Sequence, residues 1–127
     1  MDSWQLLKEI KNIEPNSLMA TVDVPENSKW FEGHFPGEPI LPGIALVSVV
    51  CQAIKLDAQI KEDEIVLCSL KRIRFTGPVR PGEKLLVTMT SEHVNQEIFY
   101  TFKIALKENV VSSGLVAVAR MKKDKIF

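Results

Sequence analysis

The stretch that decides the fold is Trp30-Phe31-Glu32-Gly33-His34-Phe35-Pro36-Gly37-Glu38-Pro39-Ile40-Leu41-Pro42-Gly43-Ile44. It packs three prolines and three glycines among aromatic residues and one histidine. Each proline fixes φ and removes a backbone donor, so no regular element accommodates this density. A fixed, structured loop is expected over 30–42. Pro42 then suits the first turn of a helix, where a missing N–H costs nothing. From Gly43 to about Ala58 the chain is almost without polar residues until Lys55. A helix apolar on nearly all sides is expected to be buried.

Downstream the character changes. Ile65 to Phe75, Lys84 to Thr90, Ile98 to Leu106 and Val110 to Met121 are rich in β-branched and aromatic residues. Turn signals at Thr76–Gly82, Glu92–Glu97 and Lys107–Asn109 separate them, so successive antiparallel strands are expected. Upstream, Leu18 to Val24 alternates as a strand, with a turn at Pro25–Ser28. Trp4, Leu7 and Ile10 fall at helical spacing, which predicts a short amphipathic helix over 4–12. One apolar helix and one sheet imply an α+β layer arrangement in which the sheet wraps the helix.

At 127 residues the chain is expected to be a single domain, 1–127. Lys+Arg and Asp+Glu both number 16, a balance that gives no support to nucleic-acid binding or to general attraction by a membrane. Cys51 and Cys68 sit in apolar runs outside any metal-ligand spacing, so both are expected to be buried reduced thiols. The start Met-Asp-Ser-Trp lacks the basic and apolar regions of a signal peptide. The apolar run Ile40–Ile54 is too short and too interrupted to span a bilayer. A reducing cytoplasm is the expected compartment.

The loop brings Glu32, His34 and Glu38 close to a helix N-terminus in sequence. The first turn of a helix presents unpaired N–H groups and partial positive charge. Gly43 has no side chain, so a ligand oxygen can approach those groups. A thioester carbonyl held there would be polarised, and a neutral imidazole beside it could remove a proton from the adjacent carbon. The residue types alone also allow His34 simply to tie the loop together.

His34-Phe35-Pro36-Gly37-Glu38-Pro39-Ile40-Leu41-Pro42-Gly43-Ile44 resembles the signature of the 3-hydroxyacyl-acyl-carrier-protein dehydratases. Gln52 falls at that family's helix glutamine. Lys71-Arg72-Ile73-Arg74-Phe75 and Pro78-Val79-Arg80-Pro81-Gly82-Glu83 resemble its later strand and turn. The similarity covers roughly Leu18 to Lys122. It implies a hotdog fold, an antiparallel sheet wrapped around a long central helix. It also implies dimers or higher oligomers of dimers, with an acyl tunnel at the interface. No metal or nucleotide is implied: the acyl group arrives on the phosphopantetheine of acyl carrier protein or of coenzyme A. His34 matches the catalytic histidine, and the N–H groups of Gly43 and Ile44 match the thioester-oxygen donors. Phe35 and Pro42, with Ile44 and Gln52, are the expected substrate-binding positions.

One departure stands out. The family has a Glu or Asp fourteen positions after the histidine, and this chain has Ser48. A serine cannot protonate a leaving hydroxyl as a carboxylic acid does, but it can hydrogen-bond that hydroxyl or hold a water. Alternatively, Ser48 bonds the carbonyl of residue 44. Ser48 and Gln52 share a helix face at i and i+4. Glu32 and Glu38 read as solvated loop charges, and Asp57 lies more than two turns beyond Ser48. Lys71, Arg72, Arg74, Arg80 and Lys84 could dock an acidic carrier protein or simply be solvated, and His93 reads as a surface turn residue. The functional expectation is dehydration of 3-hydroxyacyl thioesters to trans-2-enoyl thioesters. The alternative is a binding protein for acyl-carrier thioesters, or the silent subunit of a heterodimeric dehydratase. A thioesterase of the same fold ranks last, because it too needs a helix carboxylate.

Overall fold

The computed structural model describes residues 5–32 and 39–121. Trp4, His34, Phe35 and Glu38 therefore lie outside the described residues. Six strands form one antiparallel sheet in the order β1-β2-β4-β5-β6-β3. They are β1 (Leu7–Glu14), β2 (Ser17–Asp23), β3 (Ile65–Phe75), β4 (Lys84–Val94), β5 (Glu97–Leu106) and β6 (Asn109–Arg120). A short 3-10 turn, Lys29–Phe31, precedes the long helix α1 (Gly43–Ile60). This is the hotdog arrangement.

Alternation makes the sheet one-sided. Leu85, Val87 and Met89 of β4 are buried, as are Ile98, Tyr100, Phe102 and Ile104 of β5, while their neighbours face outward. Helix α1 packs on the buried side through Ala45, Leu46, Val49, Val50, Ala53 and Ile54. It is long and apolar enough to cross a membrane by length and composition, yet half of it is buried inside the domain.

Four local expectations are corrected. Residues expected as an amphipathic helix over 4–12 form β1 instead. The turn at Pro15-Asn16 folds this segment back onto β2, with Ile10 opposite Ala20 and Asn12 opposite Leu18, and pairing overrides a weak helical spacing. His93 belongs to β4, opposite Ile98, because the hairpin turn is confined to Asn95-Gln96. The cysteines are less buried than expected: Cys51 is half-buried and Cys68 is exposed on β3. Nor is α1 covered on all sides. Ile44, Ser48, Lys55, Gln59 and Ile60 lie on an open face.

The far end of α1 is held by a buried carboxylate. Asp57 is 1% exposed and accepts from Asn12 Nδ2 (2.7 Å), Tyr100 Oη (3.1 Å) and Lys61 Nζ (3.0 Å). Lys61 also donates to the Pro15 carbonyl at 3.2 Å. Helix, β1–β2 turn and β5 thus meet on one group. Burial, then the charge and hydrogen bond of Asp57, raise the Tyr100 hydroxyl above the ordinary phenol value.

Asp57→Ala should lower unfolding stability by about 2–4 kcal/mol, because it strands the Tyr100 hydroxyl and the Asn12 amide without an acceptor. Urea titration measures this. The folded chain holds the Tyr100 proton more tightly than the unfolded chain does. That contribution is complete below pH ~10, the unperturbed phenol value, and disappears as pH rises through the raised folded value. Stability should therefore fall in strong alkali, less steeply in Tyr100→Phe.

Candidate functional site at the tip of the central helix

The N-cap of α1 is Pro42, in extended conformation with φ −66° and ψ 147°. A proline has no side-chain oxygen, so the cap that Ser, Thr, Asp or Asn would supply is missing. Ala45 N–H turns back to the Pro42 carbonyl at 2.9 Å. The N–H groups of Gly43 and Ile44 have no acceptor among the described residues. Two donors at the positive end of an 18-residue helix are thus available to an oxygen atom. The tip is fixed in place: Leu41 N–H donates to the Val79 carbonyl at 2.7 Å, and both side chains are buried. Gly82 closes the same corner with φ +84°, a left-handed conformation that favours glycine, and donates to the Val24 carbonyl at 2.7 Å.

The ring of Phe75 lies against Gly43. A Cβ built on Gly43 would stand 2.7 Å from Phe75 Cζ, so the absence of a side chain is what admits the ring. Strand β3, which ends at Phe75, is irregular. Its register against β6 shifts between Leu67 and Ser69 and again between Lys71 and Arg74. Paired residues share a face. The residues of β3 on the helix side are consequently Ile65, Leu67, Leu70, Ile73 and Phe75, with steps of three wherever a bulge intervenes. Arg72, at φ 55°, occupies the second bulge. Gly114 of β6 makes room for Ile73, since a Cβ there would lie 2.5 Å from Ile73 Cδ1.

The helix does not cover this row. Leu67 is 49% exposed, Leu70 42% and Phe75 52%, and Ile44 on the helix tip is 62% exposed. An apolar trough therefore runs between α1 and β3, on an edge strand with no partner among the described residues. Near its other end lies a cavity of about 100 Å³. Cys51 and Ile54 of the helix, Ile65 and Leu67 of β3, and Val116 and Val118 of β6 line it, with Lys55 at its side. Burial pushes the Cys51 thiol up, against a smaller lowering effect of Lys55. A protonated, partly buried thiol is a poor nucleophile.

Of the residues expected from sequence, Pro42, Gly43, Ile44 and Ser48 are brought together on the tip and open face of α1. Ser48 is exposed one turn beyond Ile44. Gln52 is half-buried, and its Nε2 donates to Gln5 Oε1 at 3.0 Å, while Gln5 Nε2 donates to the Leu7 carbonyl at 3.0 Å. It is thereby tied to the N-terminal segment. Asp57 is a structural anchor. Lys71, Arg72, Arg74, Arg80 and Lys84 are all exposed. Phe75 and Cys51 were missed as site residues. The contact of Phe75 with Gly43 is tertiary and leaves no mark in the sequence, nor do the bulges that turn Leu70 inward.

Gly43→Ala should displace the Phe75 ring, the exposed and movable side of that contact. An acyl-thioester analogue should then bind at least tenfold more weakly, while thermal stability changes little. Calorimetric titration together with a melting curve reads both effects.

The sequence matches the ApeI-like family, described as ApeI dehydratase, over residues 9–115. It is 32% identical over 126 residues to the 3-hydroxyacyl-acyl-carrier-protein dehydratase FabZ of Pediococcus pentosaceus, covering 91% of this chain and 84% of that protein. It is 30% identical over 121 residues to the FabZ of Syntrophobacter fumaroxidans, covering 91% and 80%. In fold it is similar to the dehydratase heterocomplex ApeI:P of Xenorhabdus doucetiae, with TM-score 0.71, 20% identity and coverage of 91% and 97%. A thioesterase from Haemophilus influenzae shares the fold at TM-score 0.70 and 14% identity. With family match, identity and architecture in agreement, this chain belongs to the ApeI-like dehydratase family.

Proposed function

We propose that this protein dehydrates 3-hydroxyacyl thioesters to trans-2-enoyl thioesters, with the acyl group carried on the phosphopantetheine of an acyl carrier protein or of coenzyme A. The observation that carries this reading is the uncapped tip of α1, with the N–H groups of Gly43 and Ile44 available beside an apolar trough. A thioester carbonyl accepting from both donors would carry more negative charge on oxygen, which makes the hydrogens on C2 more acidic. His34, assigned by its place in the His-Phe-Pro motif, would take one of them. The C3–O bond then breaks as the hydroxyl takes up a proton, from the His34 imidazolium or from an acid of a partner chain, and water leaves. Phe35 and Pro42 would frame the thioester. Gln52, held by Gln5, would line the same face as Ser48, which would hydrogen-bond the 3-hydroxyl. The chemistry calls for no metal or nucleotide cofactor.

A second copy of the chain would complete the site. The open edge of β3 and its exposed apolar row are the kind of surface that proteins cover by association. A homodimer, or an oligomer of dimers, joined there would roof the trough. Exposed Lys71, Arg72, Arg74 and Arg80 supply positive charge for an acidic carrier protein. The cytoplasm suits the half-buried and exposed free thiols.

A second reading is favoured by Ser48 itself. Where the resemblance calls for a carboxylic acid, this chain has none, and one similar structure is a dehydratase heterocomplex. The chain would then bind acyl-carrier thioesters without turnover, or serve as the silent subunit beside an active homologue.

His34→Ala should reduce formation of enoyl thioester by ~10²–10⁴-fold, the usual cost of a lost acid–base group. Turnover unchanged by that substitution would overturn the dehydratase reading. Ser48→Glu should raise turnover tenfold or more if only the acid is missing. Tight acyl-thioester binding with no turnover in either form would favour the silent subunit. Leu70→Lys, on the open row of β3, should convert the dimer to a monomer in sedimentation velocity.

A further inference from the structure

We propose that Cys51 and the small cavity beside it set the longest acyl chain this site accepts. The inference rests on the acyl-thioester reading above. If the thioester carbonyl sits on the Gly43 and Ile44 donors, the described residues offer the acyl chain one apolar way out. On the far side of the helix, Ala45, Leu46, Val49 and Val50 are packed into the sheet. The open side is the trough between α1 and the inward row of β3. Along it the chain would pass the Phe75 ring at the tip, then Ser48, then Leu70. It would arrive at the cavity formed by Cys51, Ile54, Ile65, Leu67, Val116 and Val118.

The helix sets the length scale. Cys51 lies eight residues beyond Gly43, a rise of about 12 Å at ~1.5 Å per residue. Bonds of ~1.5 Å at tetrahedral angles advance an extended alkyl chain by about 1.25 Å per carbon, so roughly ten carbons span the distance. A four-carbon acyl group would end near Ser48 and never meet Cys51. A ten-carbon group would place its terminal methyl in the cavity, which at about 100 Å³ holds only a few methylenes.

The character of the cavity fits an alkyl end. Six of its seven lining residues are aliphatic or a thiol, and burial pushes the thiol pKa further up. Cys51 is small, and its position two turns from the tip on the β3 side of the open face makes it the residue whose size limits depth. Lys55 keeps its ammonium toward solvent at the side of the cavity, as long cationic side chains do when their stems cover apolar surface.

The test compares 3-hydroxydecanoyl- and 3-hydroxybutyryl-pantetheine. Cys51→Phe should lower the ten-carbon to four-carbon ratio of kcat/KM by tenfold or more. Where the protein binds without turnover, the ratio of Kd values should shift by the same factor. One methylene misfitting an apolar pocket is worth ~10-fold or more, and a phenyl ring displaces several. Because a bulky substitution can perturb folding, a second measurement keeps the natural side chain. In a Cys68→Ser background, decanoyl-pantetheine should slow alkylation of Cys51 by N-ethylmaleimide several-fold, and butyryl-pantetheine should not. Equal protection by both, or an unchanged ratio in Cys51→Phe, overturns the assignment of Cys51 and leaves the acyl-thioester reading intact. Failure of the natural protein to bind or convert either thioester overturns both.

Discussion

The structure depends on how α1 is seated in the sheet. Ala45 and Ala53 are fully buried on its inner side, and their small side chains let the helix axis approach the strands closely. Valines and leucines then fill the flanks. The two ends are fixed by different chemistry. At the C-terminal end, Asp57 gathers Asn12, Tyr100 and Lys61. At the N-terminal end, the hydrogen bond from Leu41 to Val79 fixes the entry of the chain. Neither anchor consumes the first N–H groups of the helix. A helix held by packing and by its flanks tolerates a proline cap, at a cost of ~1 kcal/mol relative to a hydroxyl or carboxylate cap. The donors of Gly43 and Ile44 therefore remain available to a ligand.

The same seating leaves the helix short of covering β3. The two bulges in that strand turn Leu70 toward the helix side, where an unbroken alternation would put Ser69 and Lys71, and leave Leu67, Ile73 and Phe75 on that same side. The result is an apolar row that one copy of the domain cannot bury. Stability of the separate domain and completion of a site consequently pull in different directions. The exposed row costs solubility, and covering it encloses a trough that begins at the helix tip. Gly43 and Gly114 allow this arrangement by admitting the Phe75 and Ile73 side chains where a Cβ would collide.

Much of the fold was legible in the sequence because period-two and all-apolar patterns carry burial directly. The helix from Gly43, and β2 through β6, follow from them. β1 is hidden by the helical spacing of Trp4, Leu7 and Ile10, whereas the decisive signal is the Pro15-Asn16 turn that returns the chain to β2. The openness of one face of α1 was also hidden. A run of apolar residues says that a helix avoids water, not whether its own sheet is wide enough to cover it. Of the site, Pro42, Gly43 and Ile44 were readable from the chemistry of a helix start. Phe75 and Cys51 were not, because their proximity to the trough comes from tertiary packing. His34 and Phe35 stand on the motif alone.

Ser48 raises the sharpest chemical question. Dehydration needs the departing hydroxyl to gain a proton, because hydroxide is a far poorer leaving group than water. A serine hydroxyl, exposed one turn from Ile44, can orient the substrate oxygen but holds its own proton too tightly to give it up. The proton must therefore come from elsewhere. The imidazolium that His34 would form on taking the C2 proton is one source, if the two carbons are presented to the same ring in sequence. A carboxylic acid from a partner chain across the open β3 edge is the other. In the first case a homodimer is a complete, if slower, catalyst. In the second, half of the chemistry lies in a different polypeptide, and the uncapped helix tip of this chain serves to hold a thioester that its partner helps to dehydrate.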